Sequence, residues 1–305
     1  MVLTRSQIEA LIDADGVMEL LRKGFCAPTA SPAPLRARTD LPGPGTATCL
    51  MPGLLADVPA YTVKVNAKFP DAVPALRGVV CLHDLHTGEL LALADSAGLT
   101  AWRTGLAAAL ATHTLADPDA DTLGFIGSGA QARTTWAGLR RLRSWRHVAA
   151  YDLDPARARG LTPRVASDAR AVAAHADVVV LATWSRQPVL HAADTRIGQH
   201  LTSLGADEPG KIELATDLIR AARVIVDDLD LACDMGAVGS AGLDATAVAG
   251  TLTDVLRGDL PAHDNTRASV YTPVGLPWQD VALLWWLYRR VTTSTIKTTT
   301  IDLLS

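Results

Sequence analysis

A glycine-rich turn in the middle of the chain has residue types suited to holding a phosphate. After the apolar segment TLGFI come Gly127, Ser128, Gly129, Ala130, Gln131 and Ala132, and an amphipathic segment follows. In a strand–turn–helix unit the first glycine permits the tight turn, the second lets the backbone approach a pyrophosphate, and the final small residue lets the helix lie close to the strand. The helix N-terminus would face the phosphate charge. This context predicts a dinucleotide-binding site.

An acidic residue ends the next apolar segment, HVAAYD. At this position the carboxylate of Asp152 could accept hydrogen bonds from the adenosine ribose hydroxyls, and it would repel a 2′-phosphate. Asp152 could instead cap the helix that begins at Pro155, although Asp154, directly before the proline, is better placed for capping. The pattern predicts NAD(H) as the cofactor.

Strands that alternate with helices must position this turn. The apolar segments are TLGFI, HVAAYD, DVVVLAT, HLTSLGA and ARVIVDD. They lack the polar alternation of a half-exposed strand, which is typical of a parallel sheet covered on both faces. We predict an α/β fold in which residues 113–280 form a Rossmann-type, doubly wound domain.

The two ends of the chain are predicted to form a second, discontinuous α+β domain from residues 1–112 and 281–305. Residues 6–23 have helical spacing and indicate one or two helices, and a buried helix at 99–116 would join the domains. Short apolar runs that indicate strands lie at 46–51, 60–66 and 78–83. The apolar segment 281–291 predicts a further helix, followed by a β-branched strand.

Charge and composition exclude several classes of protein. The chain has 305 residues, a net charge of −4 and 49% hydrophobic residues, which disfavours disorder and a nucleic-acid-binding role. The four cysteines form no CxxC pair, so we expect no metal site and a reducing compartment. No apolar stretch is long enough to span a membrane. We therefore expect a cytoplasmic protein without nucleic-acid or membrane partners.

The segments occur in the order seen in one known family. LTAWRTGLAAALATHTLA, LGFIGSGAQAR, LTSLGADEPGKIEL and VGLPWQDVA resemble the ornithine cyclodeaminase/μ-crystallin family, and the resemblance covers about residues 30–290. It implies a homodimer with a discontinuous substrate-binding and dimerisation domain and a Rossmann domain. It also implies ornithine cyclodeamination, alanine dehydrogenation or imino-acid reduction as the chemistry.

The resemblance assigns three basic residues to the substrate. Arg36 and Arg103 match the family's carboxylate ligands, a task that suits a guanidinium because it can grip a carboxylate through two parallel hydrogen bonds. Lys64 matches the active-site lysine, and strand alternation places it on one face with Thr62 and Asn66. Ion pairing at the surface or between domains is the alternative for both arginines.

Further residues are assigned to proton transfer and to the cofactor. Asp207 resembles the family's proton donor and acceptor, and Lys211 a companion lysine in the substrate site. Reduction of an imine needs a proton delivered to nitrogen, which a carboxylic acid could supply. The alternative is Asp207 as a helix N-cap ahead of Pro209. The remaining candidates for contact with the cofactor are Thr183, Val274 and Asp280.

One departure from the family bears on the substrate. Cys49 stands where bacterial ornithine cyclodeaminases have a glutamate. The loss of a carboxylate near the substrate would disfavour a second amino group, because a buried ammonium needs a negative partner. Simple imine or amino-acid redox chemistry is favoured accordingly.

Three hypotheses follow for the function. The first is an NAD(H)-dependent oxidoreductase that acts on the C–N bond of a small α-imino or α-amino acid, with Lys64 and Asp207 as its catalytic residues. The second is a cyclodeaminase, a lyase that uses NAD catalytically. The third is a non-catalytic protein that binds a small ligand in the same pocket. Retention of both arginines, Lys64 and Asp207 disfavours the third.

Overall fold

The computed structural model describes residues 1–27, 35–42, 45–69, 72–293 and 297–300. The first part of the described chain contains β1 (Val2–Leu3), α1 (Arg5–Leu11), α2 (Ala14–Cys26), β2 (Leu35–Asp40), β3 (Thr46–Gly53), β4 (Ala60–Lys68), β5 (Leu76–Asp84), β6 (Leu90–Asp95) and α3 (Ser96–Leu115). The middle part contains β7 (Thr122–Ile126), α4 (Ala130–Leu142), β8 (His147–Tyr151), α5 (Pro155–Arg159), β9 (Arg164–Val165), α6 (Ala169–His175), β10 (Val178–Leu181), β11 (His200–Ser203), α7 (Thr216–Ala221), β12 (Arg223–Val226), α8 (Leu229–Asp234), α9 (Ala237–Ser240), β13 (Val248–Thr251), α10 (Leu252–Arg257) and β14 (Ser269–Tyr271). The last helix is α11 (Pro277–Thr292).

The chain divides into two compact units. Unit 1 comprises Met1–Arg103 and Leu276–Ser305, and unit 2 comprises Thr104–Gly275. The sequence predicted breaks after residues 112 and 280. The first division falls inside α3, between Arg103 and Thr104, where the helix is continuous. The second falls just before α11, which begins at Pro277. The helix was predicted from the apolar run 281–291, so its more polar first turn was left out of the prediction.

Unit 1 is built on a mixed sheet. Within the described residues its strands follow the order β1-β6-β5-β4-β3-β2, antiparallel except for the β1–β6 pair. Along β4 alternate residues are buried. Thr62, Lys64 and Asn66 share one face, as the alternation predicted, and this face is the buried one. Helix α11 packs on β3, β4 and α2. The three polar side chains of β4 are therefore covered by a helix.

The helical ends of unit 1 follow from local sequence. A capping box formed by Thr4 and Gln7 begins α1, and it satisfies N–H groups at the helix start that have no partner within the helix.

Helix α2 places Phe25 against Trp278 of α11, with ring centroids 4.9 Å apart. Of the predicted C-terminal strand, Thr299 forms an isolated antiparallel bridge with Val2; residues 294–296 and 301–305 lie outside the described part.

Unit 2 is a parallel α/β unit, which confirms the predicted Rossmann-type fold. In the described chain the sheet order is β13-β12-β14-β11-β10-β7-β8-β9, and every pair is parallel. Every residue of β7, β10, β11, β12 and β14 is buried, as expected for strands covered on both faces. Asp154 caps α5 ahead of Pro155, as the sequence predicted.

A carboxylate ties the amino ends of two central strands together. Asp177, just before β10, accepts hydrogen bonds from the backbone N–H groups of Asp121 and Thr122 and from the Thr122 hydroxyl. Its other oxygen accepts one from the Arg196 guanidinium at 2.8 Å. These donors hold the pKa of Asp177 below its usual value although burial opposes them. Asp177 thus stabilises the edge opposite to the carboxyl ends of the strands.

None of the helices in the described ranges has the length and apolar character needed to cross a membrane.

Candidate active site

A row of inward-facing residues crosses three strands of unit 1. Arg36 in β2 pairs with Leu50 in β3, and Leu50 pairs with Lys64 in β4. Neighbouring strands lie about 4.8 Å apart, so the two basic residues stand on one face at two strand spacings. The positive charge of Arg36 contributes to lowering the pKa of Lys64, in agreement with this placement.

Lys64 is buried in a polar surrounding. Its Nζ donates to Asp280 Oδ2 at 2.7 Å and to Thr100 Oγ1 at 3.4 Å. Burial and the neighbouring Arg103 lower the pKa of Lys64 from 10.5 to about 7, although Asp280 raises it. The lysine therefore changes its charge near neutral pH.

Arg103 shares the same carboxylate. Its Nε donates to Asp280 Oδ1 at 3.3 Å and its Nη1 to Gln279 Oε1 at 3.0 Å. Arg103 is only 5% exposed, so the alternative of a surface ion pair does not apply to it. Two buried cations thus share one buried carboxylate, an arrangement in which a second anion would be favourable.

Asp280 makes contacts that its sequence motif did not predict. It lies in the first turn of α11 with ion pairs to Lys64 and Arg103, and its contact with the cofactor stays a prediction. The helix start favours a negative charge, and the two cations hold it there. The motif alone could not reveal these partners, because they are far away in sequence.

The inference drawn from Cys49 is wrong. Cys49 pairs with Val65, whose side chain is 48% exposed, whereas its neighbour Leu50 lies in the row with Lys64. Because successive strand residues point to opposite faces, a side chain at position 49 points away from the Lys64 face. The residue at this position does not argue for or against a second amino group on the substrate.

The glycine-rich turn of unit 2 has the expected geometry. Gly127 has φ +87°, and a Cβ there would lie 2.5 Å from the Ala182 carbonyl oxygen, so only glycine fits. A Cβ on Gly129 would meet nothing within 4 Å. Gly129 is also the N-cap of α4, and it offers no side-chain cap. Open space therefore lies over uncapped N–H groups at the start of a 13-residue helix.

Ser128 and Asp152 complete this turn. The Ser128 N–H donates to Asp152 Oδ2 at 2.7 Å, and the Asp154 N–H to Asp152 Oδ1 at 2.9 Å. The Ser128 hydroxyl is buried and makes no hydrogen bond within the described residues. A buried hydroxyl without a partner is costly, and a phosphate oxygen would satisfy it. The turn thus fits the pyrophosphate of a dinucleotide, with a carboxylate placed for the ribose.

Asp207 and Lys211 lie together in unit 2. Lys211 Nζ is 3.0 Å from Asp207 Oδ1 and 3.1 Å from Glu208 Oε1, and it lies 4.6 Å from the centre of the Trp184 ring. Burial lowers the pKa of Lys211, but the two carboxylates outweigh burial and raise it. No helix begins after Pro209, since the next one starts at Thr216, so the alternative of Asp207 as a helix N-cap is wrong.

Two predicted cofactor contacts are anchored by acidic residues that the sequence analysis missed. Thr183 donates to Glu213 through its N–H and its hydroxyl. The Val274 N–H donates to Asp227 Oδ1 at 2.9 Å. Acidic residues within or directly after apolar segments, in IEL and VIVDD, were the available signal, because a buried carboxylate needs donors nearby. Among the described residues no group of three or more His, Cys, Asp or Glu side chains could hold a metal ion.

Comparisons with known proteins bear on the family and the fold of the chain. The model of the ornithine cyclodeaminase/mu-crystallin family matches residues 1–295. The chain is 29% identical over 299 residues to an alanine dehydrogenase of Archaeoglobus fulgidus, covering 93% of this chain and 92% of that one. It is 34% identical over 217 residues to an L-lysine cyclodeaminase of Streptomyces rapamycinicus, covering 63% of each. A solved archaeal alanine dehydrogenase dimer with bound NAD superposes with a TM-score of 0.88, at 26% identity over 98% of both chains.

Proposed function

The chain belongs to the ornithine cyclodeaminase/mu-crystallin family, and we propose that it is an NAD(H)-dependent oxidoreductase acting on the C–N bond of a small α-imino or α-amino acid. The observation that carries the proposal is the buried group of Lys64, Arg103 and Asp280, in which two cations share one carboxylate. Such a group is nearly neutralised by one further anion. The carboxylate of an amino or imino acid is that anion.

Each residue has a distinct task in this proposal. Arg103 and Arg36 hold the substrate carboxylate, and Lys64 orients the acid. Hydride transfer would be supplied by NAD(H) when it is bound. Asp207 exchanges the proton at the substrate nitrogen, and Lys211 holds that carboxylate through an ion pair of 3.0 Å. In this proposal the acid is held by its carboxylate, and the proton is exchanged at its nitrogen.

The cofactor is assigned to the turn of unit 2. The N–H groups at the start of α4 and the Ser128 hydroxyl would hold the pyrophosphate, and Asp152 would accept from the adenosine ribose. The Asp152 carboxylate favours NAD(H) over NADP(H), because it would repel the 2′-phosphate of NADP(H). The archaeal alanine dehydrogenase that superposes on this chain contains NAD, which supports the assignment. A cytoplasmic location stays a prediction from the sequence.

The proposal is tested by following NADH absorbance with purified protein. The substrates to supply are pyruvate with ammonia, pyrroline-2-carboxylate and iminosuccinate, each of which presents an imine beside a carboxylate. We expect NADH consumption with at least one of them. NADH that stays constant with all three, while the protein binds the cofactor, would contradict the proposal.

A cyclodeaminase is the second candidate, and the similarity to an L-lysine cyclodeaminase favours it. The net change in nicotinamide separates the two functions. A cyclodeaminase releases ammonia from a diamino acid in the presence of NAD without accumulating NADH. An oxidoreductase consumes one NADH for each imino acid that it reduces, or forms one NADH for each amino acid that it oxidises.

Binding of an acid should weaken as the pH rises through 7. Lys64 has a pKa of about 7, so its ammonium is charged below this pH and neutral above it. The inhibition constant of lactate, a carboxylate without the nitrogen, should rise about tenfold between pH 6 and pH 8. In a Lys64→Arg variant the charge persists and the rise should disappear. A constant wild-type value over this range would show that the lysine charge does not hold the acid.

The homodimer is also part of the proposal, and exposed valines on one face of the unit 1 sheet support it. On the face opposite to Lys64, Val65 and Val79 pair directly and are 48% and 40% exposed. Cys49, Val63 and Cys81 flank them on the same face. Exposed apolar residues on a sheet face fit a second copy of the chain. The archaeal alanine dehydrogenase is itself described as a dimer.

A charge on this face should therefore separate the subunits. Because Val79→Lys would bury an ammonium against its own copy, we expect the dimer dissociation constant to rise about a hundredfold. Light scattering after size exclusion measures it across a dilution series. Leu85→Lys is the matched control, since Leu85 is also half exposed, at 49%, but lies in the turn after β5. Unchanged mass for Val79→Lys would place the interface elsewhere.

A further inference from the structure

One buried carboxylate in unit 2 collects four hydrogen bonds. Glu213 Oε1 accepts from the Thr183 N–H at 2.6 Å and the Thr183 hydroxyl at 2.8 Å. Its Oε2 accepts from the Ser203 hydroxyl at 2.7 Å and the Gly205 N–H at 2.8 Å. The side chain is fully buried, and burial raises the pKa of Glu213 while these donors oppose the rise. The four donors supply the hydrogen bonds that a buried carboxylate requires.

These donors come from the carboxyl ends of two adjacent parallel strands. Thr183 follows β10, whereas Ser203 ends β11 and Gly205 comes two residues later. Ligands of open α/β sheets bind at this edge. The segment after β10 carries the predicted cofactor contact Thr183, and the segment after β11 leads to Asp207. Glu213 therefore joins the two segments on which the proposed reaction depends.

The backbone around the carboxylate is fixed as well. The Glu213 carbonyl accepts from the N–H groups of Val189 and Leu190, which anchors the residue itself. A Cβ on Gly205 would collide with the Thr183 carbonyl oxygen and with the Glu213 carboxylate. The ends of β10 and β11 thus approach so closely that no side chain fits between them. A small movement of the Glu213 carboxylate would shift both segments.

A glutamine cannot replace this carboxylate without loss. The two backbone donors, at Thr183 and Gly205, lie on different oxygens of Glu213. Whichever way a glutamine amide is turned, its NH₂ group faces one of these N–H groups, and two donors repel. One buried N–H is then left unsatisfied, which costs free energy.

We propose that Glu213 is a positioning residue that sets the place of Thr183 for the cofactor and of Asp207 for proton exchange. The role rests on the proposed function. It acts through the segments after β10 and β11 and requires no contact of Glu213 with substrate or cofactor.

Asp177 offers a matched control for a carboxylate that only stabilises the fold. It also accepts several donors and also joins two neighbouring strands, β7 and β10, but at their amino ends. Asp177→Asn should lower thermal stability and leave the carboxyl edge in place. A comparison of Glu213→Gln with Asp177→Asn therefore separates positioning from stability.

The test uses the full-length Glu213→Gln, Ser203→Ala and Asp177→Asn variants beside the wild type. Hydrogen exchange measured by mass spectrometry reports on the segments at 182–187 and 203–208 without any need for activity. Titration of protein fluorescence with NADH gives the cofactor dissociation constant, and NADH consumption gives kcat and KM.

In Glu213→Gln we expect hydrogen exchange in both segments to accelerate by about tenfold. We also expect the NADH dissociation constant to rise by about tenfold and kcat to fall by about tenfold. Ser203→Ala, which removes one donor and keeps the carboxylate, should change the same quantities in the same direction by about threefold. Asp177→Asn should leave them within twofold of the wild type.

Two results would overturn the inference. One is a folded Glu213→Gln protein that loses thermal stability while exchange in both segments, NADH binding and kcat stay within twofold of wild type. The other, decisive if Glu213→Gln does not fold, is a Ser203→Ala variant with none of the expected changes. Failure of the wild type to bind NADH would instead contradict the proposed function, and the exchange data would still decide whether Glu213 positions the two segments.

Discussion

Asp207→Asn should reduce kcat by about 10²–10⁴-fold, the range typical of general acid–base catalysis, while NADH binding changes little. An amide oxygen can still accept the hydrogen bond from Lys211 Nζ, which is 3.0 Å from Asp207 Oδ1 in the wild type. The amide cannot exchange a proton with the substrate nitrogen at neutral pH. The loss should therefore appear in kcat, measured by NADH consumption, rather than in cofactor affinity.

The neighbouring carboxylate is the control for this prediction. Glu208 Oε1 lies 3.1 Å from the same Lys211 Nζ, so Glu208→Gln removes a comparable ion pair from the same lysine. Because no proton transfer is assigned to Glu208, kcat should fall less than about tenfold. Equal losses in the two variants would mean that the ion pairs of Lys211, and not proton exchange at Asp207, sustain turnover.

Local sequence carried most of the information about the nucleotide-binding unit. The turn from Gly127 to Ala132, the strand before it and the cap at Asp154 depend on neighbouring residues, and the structure has them as predicted. The placement of Lys64 on one face with Thr62 and Asn66 followed from the period of two in a strand, whereas the burial of that face is a finding of the structure. Such features can be predicted because a few adjacent residues determine them.

Contacts between distant parts of the chain could not be predicted in this way. Asp280 meets Lys64 across 216 residues, and neither helical nor strand periodicity identifies such a partner. Glu213 was missed because a buried acid in an apolar segment does not reveal which N–H groups satisfy it. For Cys49 the match to the family was made without the strand register, and the register places the side chain on the opposite face.

Asp280→Ala should lower the free energy of unfolding by about 3–5 kcal/mol, because it removes the carboxylate shared by two buried cations. Asp280 is 1% exposed and lies 2.7 Å from Lys64 Nζ and 3.3 Å from Arg103 Nε. Without it, Arg103 stays charged and buried beside Gln279. Chemical denaturation monitored by circular dichroism measures the change. Glu19→Ala, which removes an exposed ion pair with Lys23 in α2, should cost at most about 0.5 kcal/mol.

The pH dependence of this loss identifies its cause. Asp280 raises the pKa of Lys64, so the variant has a lysine pKa below about 7. At pH 6 the wild type gains from a charged Lys64–Asp280 pair, whereas at pH 9 Lys64 is neutral in both folded proteins and only the Arg103 pair is lost. The destabilisation should therefore be larger at pH 6 than at pH 9. A loss that is the same at both values would mean that Lys64 does not contribute to it, and a loss below about 1 kcal/mol at pH 6 would contradict the shared-carboxylate arrangement.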